Sequence, residues 1–159
     1  MTTKSLQETH APHLRCFGCG PANESGLHLR SFVSGDELVA EWQPQSHHEA
    51  AEGFMNAGIV GTLLDCHSNW AAAWFIGKHL GASELPSTVS AEYSVKLLRP
   101  ISLKYPVSLI ARVDEVSSSK AVIVAEMLSE GKICATCKGI FPVVKPGNPA
   151  YHRFGYPID

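Results

Sequence analysis

Between Met55 and Lys78 the chain carries an apolar run that reads as helix on nearly every side. Val60, Leu63, Leu64, His67, Ala71, Trp74 and Phe75 recur at three- and four-residue spacing, and Ala57, Ala71, Ala72 and Ala73 are strong helix formers. Asn56 can cap the first N–H groups, and Gly81 suits the stop. A surface helix keeps a polar face; this one has none, so the rest of the chain must cover it. The stretch Ala57 to Ile76 is about long enough to cross a bilayer. Asp65, His67, Ser68 and Asn69 interrupt its middle, which makes it a core helix and predicts no membrane partner.

The cover has to come from strands. Leu27 to Val33 and Leu38 to Trp42 read as a hairpin around Ser34-Gly35-Asp36. After Pro86, Thr88 to Leu98, Val107 to Val116, Ala121 to Leu128 and Ile133 to Val144 are rich in Val, Ile, Thr and Ser. Tight turns at Ser117–Lys120 and Ser129–Lys132 join them into an antiparallel meander. The expected fold is α+β: a curved antiparallel sheet wrapped around one long central helix, over 27–144. Residues 1–26 form a polar lead and a Cys/Gly-rich loop, and 145–159 a Pro- and aromatic-rich tail over the surface. The 159 residues suit one domain. Edge strands left open by such a sheet invite a second copy of the chain.

Charge and cysteine use narrow the function. A net charge of -2 argues against a nucleic-acid partner but permits an anionic small ligand. Met1 to His10 has no apolar signal-peptide core, and five cysteines is an odd number. Both predict a reducing, cytoplasmic setting with free thiols.

Asp65 stands out as an ionisable group two turns into an apolar helix, where an unused carboxylate is costly. The N–H groups near Asn56 and Ala57 lie eight residues away, about 12 Å along the axis. Donors for a developing oxyanion together with a base are what acyl transfer needs, and a ligand entering along the helix could meet both. The competing role for Asp65 is structural: it caps a loop or pairs with Arg99 or Lys96.

Three segments resemble the hot-dog fold, and within it the PaaI-like acyl-CoA thioesterases of phenylacetate-type pathways. Cys16 to Arg30 (CFGCGPANESGLHLR) is similar to an opening common in one subgroup. Asn56 to Asp65 (NAGIVGTLLD) is similar to the family's His-Gly-Gly followed by a helical acid. Ser90 to Pro100 (SAEYSVKLLRP) is similar to a strand that starts with Thr or Ser and ends in Leu-Arg-Pro. The resemblance implies hydrolysis of an acyl-CoA thioester to acid and CoA, with Asp65 as general base or as nucleophile. It gives the Ala57 N–H the role of polarising the thioester carbonyl. Ser90 is implied to reach from the neighbouring subunit to help position the nucleophile. Asn56, in the family's His position, can donate a hydrogen bond but carries no proton. Gly58 and Arg99 are then expected to meet substrate. The resemblance implies no cofactor, and a homodimer or a dimer of dimers. The departure at Asn56-Ala57, whose methyl group crowds a thioester, keeps a second reading open: a module that binds acyl-CoA or a related ligand without turnover. A hydratase or dehydratase is a third reading, disfavoured because the His position is Asn56.

Other reactive side chains have plainer readings. His10, His13, Cys16 and Cys19 could ligate zinc, but four ligands within ten residues wrap too tightly, so no metal is expected there. Cys134 and Cys137, three apart on a strand, point to opposite faces and read as small core residues. His47 and His48 read as solvated loop residues. Trp70 and Trp74 read as core or interface, flooring the acyl pocket.

Overall fold

In a computed structural model, residues 3–151 are described. Helix α1 spans Leu6–His10 and helix α2 spans Ala57–Leu80; strands are β1 Phe32–Ser34, β2 Glu37–Trp42, β3 Glu92–Leu97, β4 Val107–Val116, β5 Lys120–Ser129 and β6 Lys132–Pro142. All six strands make one antiparallel sheet in the order β1-β2-β4-β5-β6-β3, so β1 and β3 are its edges.

The long helix is the predicted one. Asn56 caps it through its side-chain oxygen, and Gly81 ends it with φ 63° and ψ 29°. It packs mainly on β5 and β4. Leu63, Leu64, Trp70 and Ile76 are fully buried, each contributing roughly 1.5–3 kcal/mol over the exposed state. Facing them are Leu109, Ala111, Ala121, Ile123, Ala125, Ala135 and Phe141 from alternate strand positions. Small residues on both sides let the helix lie close to the sheet. Among the described residues, no helix is long and apolar enough to cross a membrane.

Two bulges curve the sheet, one between Val113 and Glu115 and one opposite Met127–Leu128. The second leaves Cys134 as the extra residue, since Leu128 pairs Ile133 while Met127 pairs Ala135. Its carbonyl accepts from the N–H groups of Leu98 and Arg99, at 2.8 and 3.1 Å. Cys134 and Cys137 are therefore both buried, although simple alternation puts one outward.

The N-terminal lead is more ordered than its composition suggests. Ser5 and Glu8 form a reciprocal capping box that starts α1, and Ser5, Leu6 and Gln7 are buried. Of the expected first strand only Phe32 and Val33 pair with β2, and Ser34, expected in the turn, joins them. Before them, His28 has φ 56°, and the N–H groups of Leu27 and Leu29 donate to Phe17 and Gly18 carbonyls instead. The next segment closes a buried polar chain. Gln7 Nε2 donates to Ser31 Oγ (3.0 Å), Ser31 Oγ lies 2.8 Å from His67 Nδ1, and His67 Nε2 lies 3.0 Å from the Leu38 carbonyl. A neutral His67 satisfies all three, donating from Nε2 and accepting at Nδ1.

Two further expectations change. His48 is buried rather than solvated: its Nδ1 accepts from Gln45 N–H at 2.9 Å and its ring packs 4.8 Å from Trp42; His47 is exposed. The tail crosses back as far as Tyr151, whose carbonyl accepts from Ser87 Oγ at 2.6 Å. Positions 152–159 lie outside the described residues.

Candidate functional site

The start of α2 builds one end of the site. Asn56 Oδ1 accepts from the N–H of Gly58 (2.8 Å) and Ile59 (3.3 Å), and its carbonyl accepts from Ile59 and Val60. Ala57 N–H is the donor of this first turn that makes no hydrogen bond among the described residues, and Ala57 is exposed. Met55 N–H donates to the Ile101 carbonyl, which ties the turn to the segment after β3. Between them lies a cleft of about 250 Å³, lined by Met55, Ala57, Val60, Leu98, Arg99 and Ile101 among others. Arg99 places a cation at this cleft, next to the donor end of a helix, so both favour an anionic or carbonyl group. Gly58 is exposed, and a Cβ there would meet only the Asn56 side chain, at 2.9 Å.

Asp65 and Ser90 form the second part. Asp65 is half-buried, and Ser90 Oγ donates to its Oδ1 at 2.5 Å. Val89 and Ala91 N–H groups donate to β6 carbonyls on either side of Ser90 and fix its position. One turn further, Thr88 Oγ1 donates to Asn69 Oδ1 at 2.6 Å, a parallel clamp between strand lead and helix that sequence reading missed. The Asp65 charge reaches Tyr93 on β3: burial first, then that carboxylate, holds the Tyr93 phenol above its ordinary range.

Within one chain Ser90 thus reaches Asp65 directly. The structure also separates the two parts. Ala57 and Arg99 share the cleft, whereas Asp65 lies about two helical turns further on. A single carbonyl cannot touch both within one chain. Trp70 does not floor this cleft; it is fully buried, and its Nε1 donates to Cys19 Sγ at 3.3 Å. A larger hollow of about 370 Å³, lined by Ser94, Lys96, Arg112, Glu126, Thr136 and Lys138 among others, shares no residue with either part.

The cysteine and histidine run does not assemble as a set of four. Cys16 and Cys19 instead meet Cys66, the three sulphurs lying within 4.8 Å of one another, while His13 is exposed. Among the described residues, no metal-capable group includes Cys134 or Cys137.

No family profile matches this sequence, and no curated protein does. Solved structures do resemble it. A thioesterase superfamily protein from Shewanella loihica PV-4 is 22% identical, with TM-score 0.63, covering 79% of this chain and 98% of its own. The PaaI protein of the E. coli phenylacetic acid degradation operon is 15% identical, with TM-score 0.62, covering 75% and 81%. Thioesterase HI1161 from Haemophilus influenzae is 16% identical, with TM-score 0.64, covering 77% and 82%. At these identities the likeness is one of fold: the chain has the hot-dog fold found in thioesterase superfamily proteins. PaaI, which gives its name to the family that the three sequence segments resemble, is among the structures it matches.

Proposed function

We propose that this chain hydrolyses acyl-CoA thioesters, in a site shared by two copies of itself. The observation that carries the reading is Asp65, a half-buried carboxylate on the core helix, held by a 2.5 Å hydrogen bond from Ser90. That bond orients the carboxylate on the helix.

The distance between Ala57 and Asp65 asks for a second subunit. Two copies of α2 running antiparallel about a two-fold axis bring Ala57 of one protomer to the partner subunit's Asp65. Strand β3 supports such an arrangement, because it is a long open edge beside the cleft. Tyr93, Leu97 and Leu98 are 44%, 56% and 56% exposed there. In the assembled site the thioester oxygen accepts from Ala57 N–H, and Arg99 meets phosphate or carbonyl groups of CoA. The Asp65 carboxylate takes a proton from water, and the hydroxide adds to the thioester carbon. Collapse of the tetrahedral intermediate breaks the C–S bond. The departing thiolate takes the proton back, giving free acid and CoA. Attack by Asp65 itself, through a mixed anhydride, uses the same groups. No cofactor enters either route.

One observation favours a second reading, an acyl-CoA-binding module without turnover. Asn56 Oδ1 occupies the Gly58 N–H, so a carbonyl finds one donor rather than two, beside the Ala57 methyl group. An assay of released thiol against a panel of short, long and aromatic acyl-CoAs separates the two. The proposal expects turnover of at least one class. Tight binding with no thiol released from any member replaces it with the binding module.

A further inference from the structure

Cys16, Cys19 and Cys66 come from two distant parts of the sequence, yet their three Sγ atoms lie within 4.8 Å of one another, with Cys16 Sγ 3.7 Å from Cys66 Sγ. Three thiols gain little by packing together in a hydrocarbon core. Two thiolates on one tetrahedral zinc at about 2.3 Å stand about 3.8 Å apart. We propose that these three sulphurs bind one zinc ion, which staples the Cys16–Gly26 loop to the central helix. The site is independent of the thioesterase reading, since neither Asp65 nor Ala57 contributes to it.

The surroundings offer donors to two of the three sulphurs. The backbone N–H groups of Gly18 and Cys19 lie on the side of the Cys16 sulphur and favour its thiolate, in a Cys-x2-Cys-Gly turn closed by Gly20 N–H on the Cys16 carbonyl at 2.8 Å. Trp70 Nε1 donates to Cys19 Sγ at 3.3 Å. These donors offset the single negative charge left when three thiolates meet a divalent ion, and they fix the ligand orientation. Two glycines make the approach possible. A Cβ on Gly18 would stand 2.4 Å from Cys66 Sγ, and one on Gly20 would stand 2.4 Å from the Cys16 nitrogen and the Leu14 carbonyl oxygen. Cys19 and Cys66 are buried and Cys16 is half-exposed, so the fourth position opens toward solvent on the Cys16 side, where a water completes the tetrahedron. Each sulphur that is still a thiol gives its proton to solvent as its Zn–S bond forms.

The sequence pairs Cys16 and Cys19 with His10 and His13, and that wrap is too tight. Folding supplies a third thiol 47 residues beyond Cys19, next to Asp65 in the helix. This longer spacer is the kind that structural zinc sites use.

The test uses the reduced full chain, stripped with a chelator and then titrated with zinc chloride against a chromogenic competitor. One zinc per chain, with a dissociation constant below about 100 nM, is expected. Melting temperature should rise by roughly 5–10 °C on reloading. Cobalt chloride in place of zinc should give the intense thiolate-to-metal absorption that carboxylate or imidazole ligands lack. Cys66→Ser should lower affinity at least about 100-fold, while Cys134→Ser leaves it unchanged. The proposal is overturned if the reduced chain takes up no zinc at about 10 µM. It is also overturned if Cys66→Ser binds as tightly as the parent. Recovery of Cys16 and Cys66 as a disulfide that, once reduced, still takes up no zinc overturns it too. If Cys66→Ser does not fold, the parent's stoichiometry, cobalt spectrum and thermal shift decide alone.

Discussion

Lowering the pH tests the buried His67 chain directly. Its imidazole is fully buried, accepts from Ser31 and donates to the Leu38 carbonyl. Burial pushes its pKa from the ordinary 6.5 down to about 4, partly offset by the bond to Leu38. In the unfolded chain it protonates near pH 6.5, but in the folded chain only near pH 4. Stability is therefore intact above pH 6.5 and is lost as pH falls toward 4. A shift of ~2.5 units at ~1.36 kcal/mol each comes to ~3.4 kcal/mol at the limit. Between pH 7.5 and 5 the linkage gives roughly 2 kcal/mol, or roughly 4–8 °C in melting temperature. Urea unfolding followed by tryptophan fluorescence at a series of pH values, at fixed protein concentration, measures it. The control is His67→Gln, whose amide can accept from Ser31 and donate to Leu38 without titrating. Contributions from His10 and His48 are common to both proteins and cancel. The parent should lose roughly 2 kcal/mol more than His67→Gln over that range; equal losses would refute a buried neutral His67.

Three other perturbations probe the remaining parts. Ser90→Ala removes the hydrogen bond that holds Asp65 and should lower kcat roughly 10- to 100-fold with the fold intact; unchanged kcat would make Ser90 a bystander. Gly18→Ala drives a methyl into Cys66 and Thr62, and should cost about 1–3 kcal/mol in denaturant unfolding. Leu97→Glu on the exposed β3 edge should shift light-scattering mass toward the monomer and lower activity with it; a monomer of full activity would remove the shared site.

The long helix was legible because its period, its Asn56 cap and its Gly81 stop agree, and because an all-round apolar pattern permits only a covered position. The meander from Val107 onward was legible for the same reason: alternation and turn residues point the same way. The lead was not, although the Ser5-x-x-Glu8 box was there to be read; five residues between polar neighbours give too short a period. The first strand was misjudged because His28 breaks it in the left-handed region, a choice made by the Cys16–Gly26 loop that takes its hydrogen bonds. Asp65 could be singled out from sequence because a carboxylate among Leu and Cys residues is conspicuous. Its contact with Ser90 spans 25 residues, and the cysteine cluster spans 50. Tertiary packing sets such contacts, and local pattern carries no trace of them. The bulge at Cys134, which fixes Leu98 and Arg99 at the cleft, is a register event of the same kind.

Turnover by Asp65→Asn tests the central claim most directly. The substitution keeps size and can still accept the Ser90 hydrogen bond, so circular dichroism and melting should stay near the parent. An amide neither takes a proton from water nor attacks a thioester carbon. Thiol release from the best acyl-CoA of the panel should therefore fall about 10²–10⁴-fold. A folded Asp65→Asn that hydrolyses this substrate as fast as the parent would contradict the account and leave Asp65 a structural carboxylate.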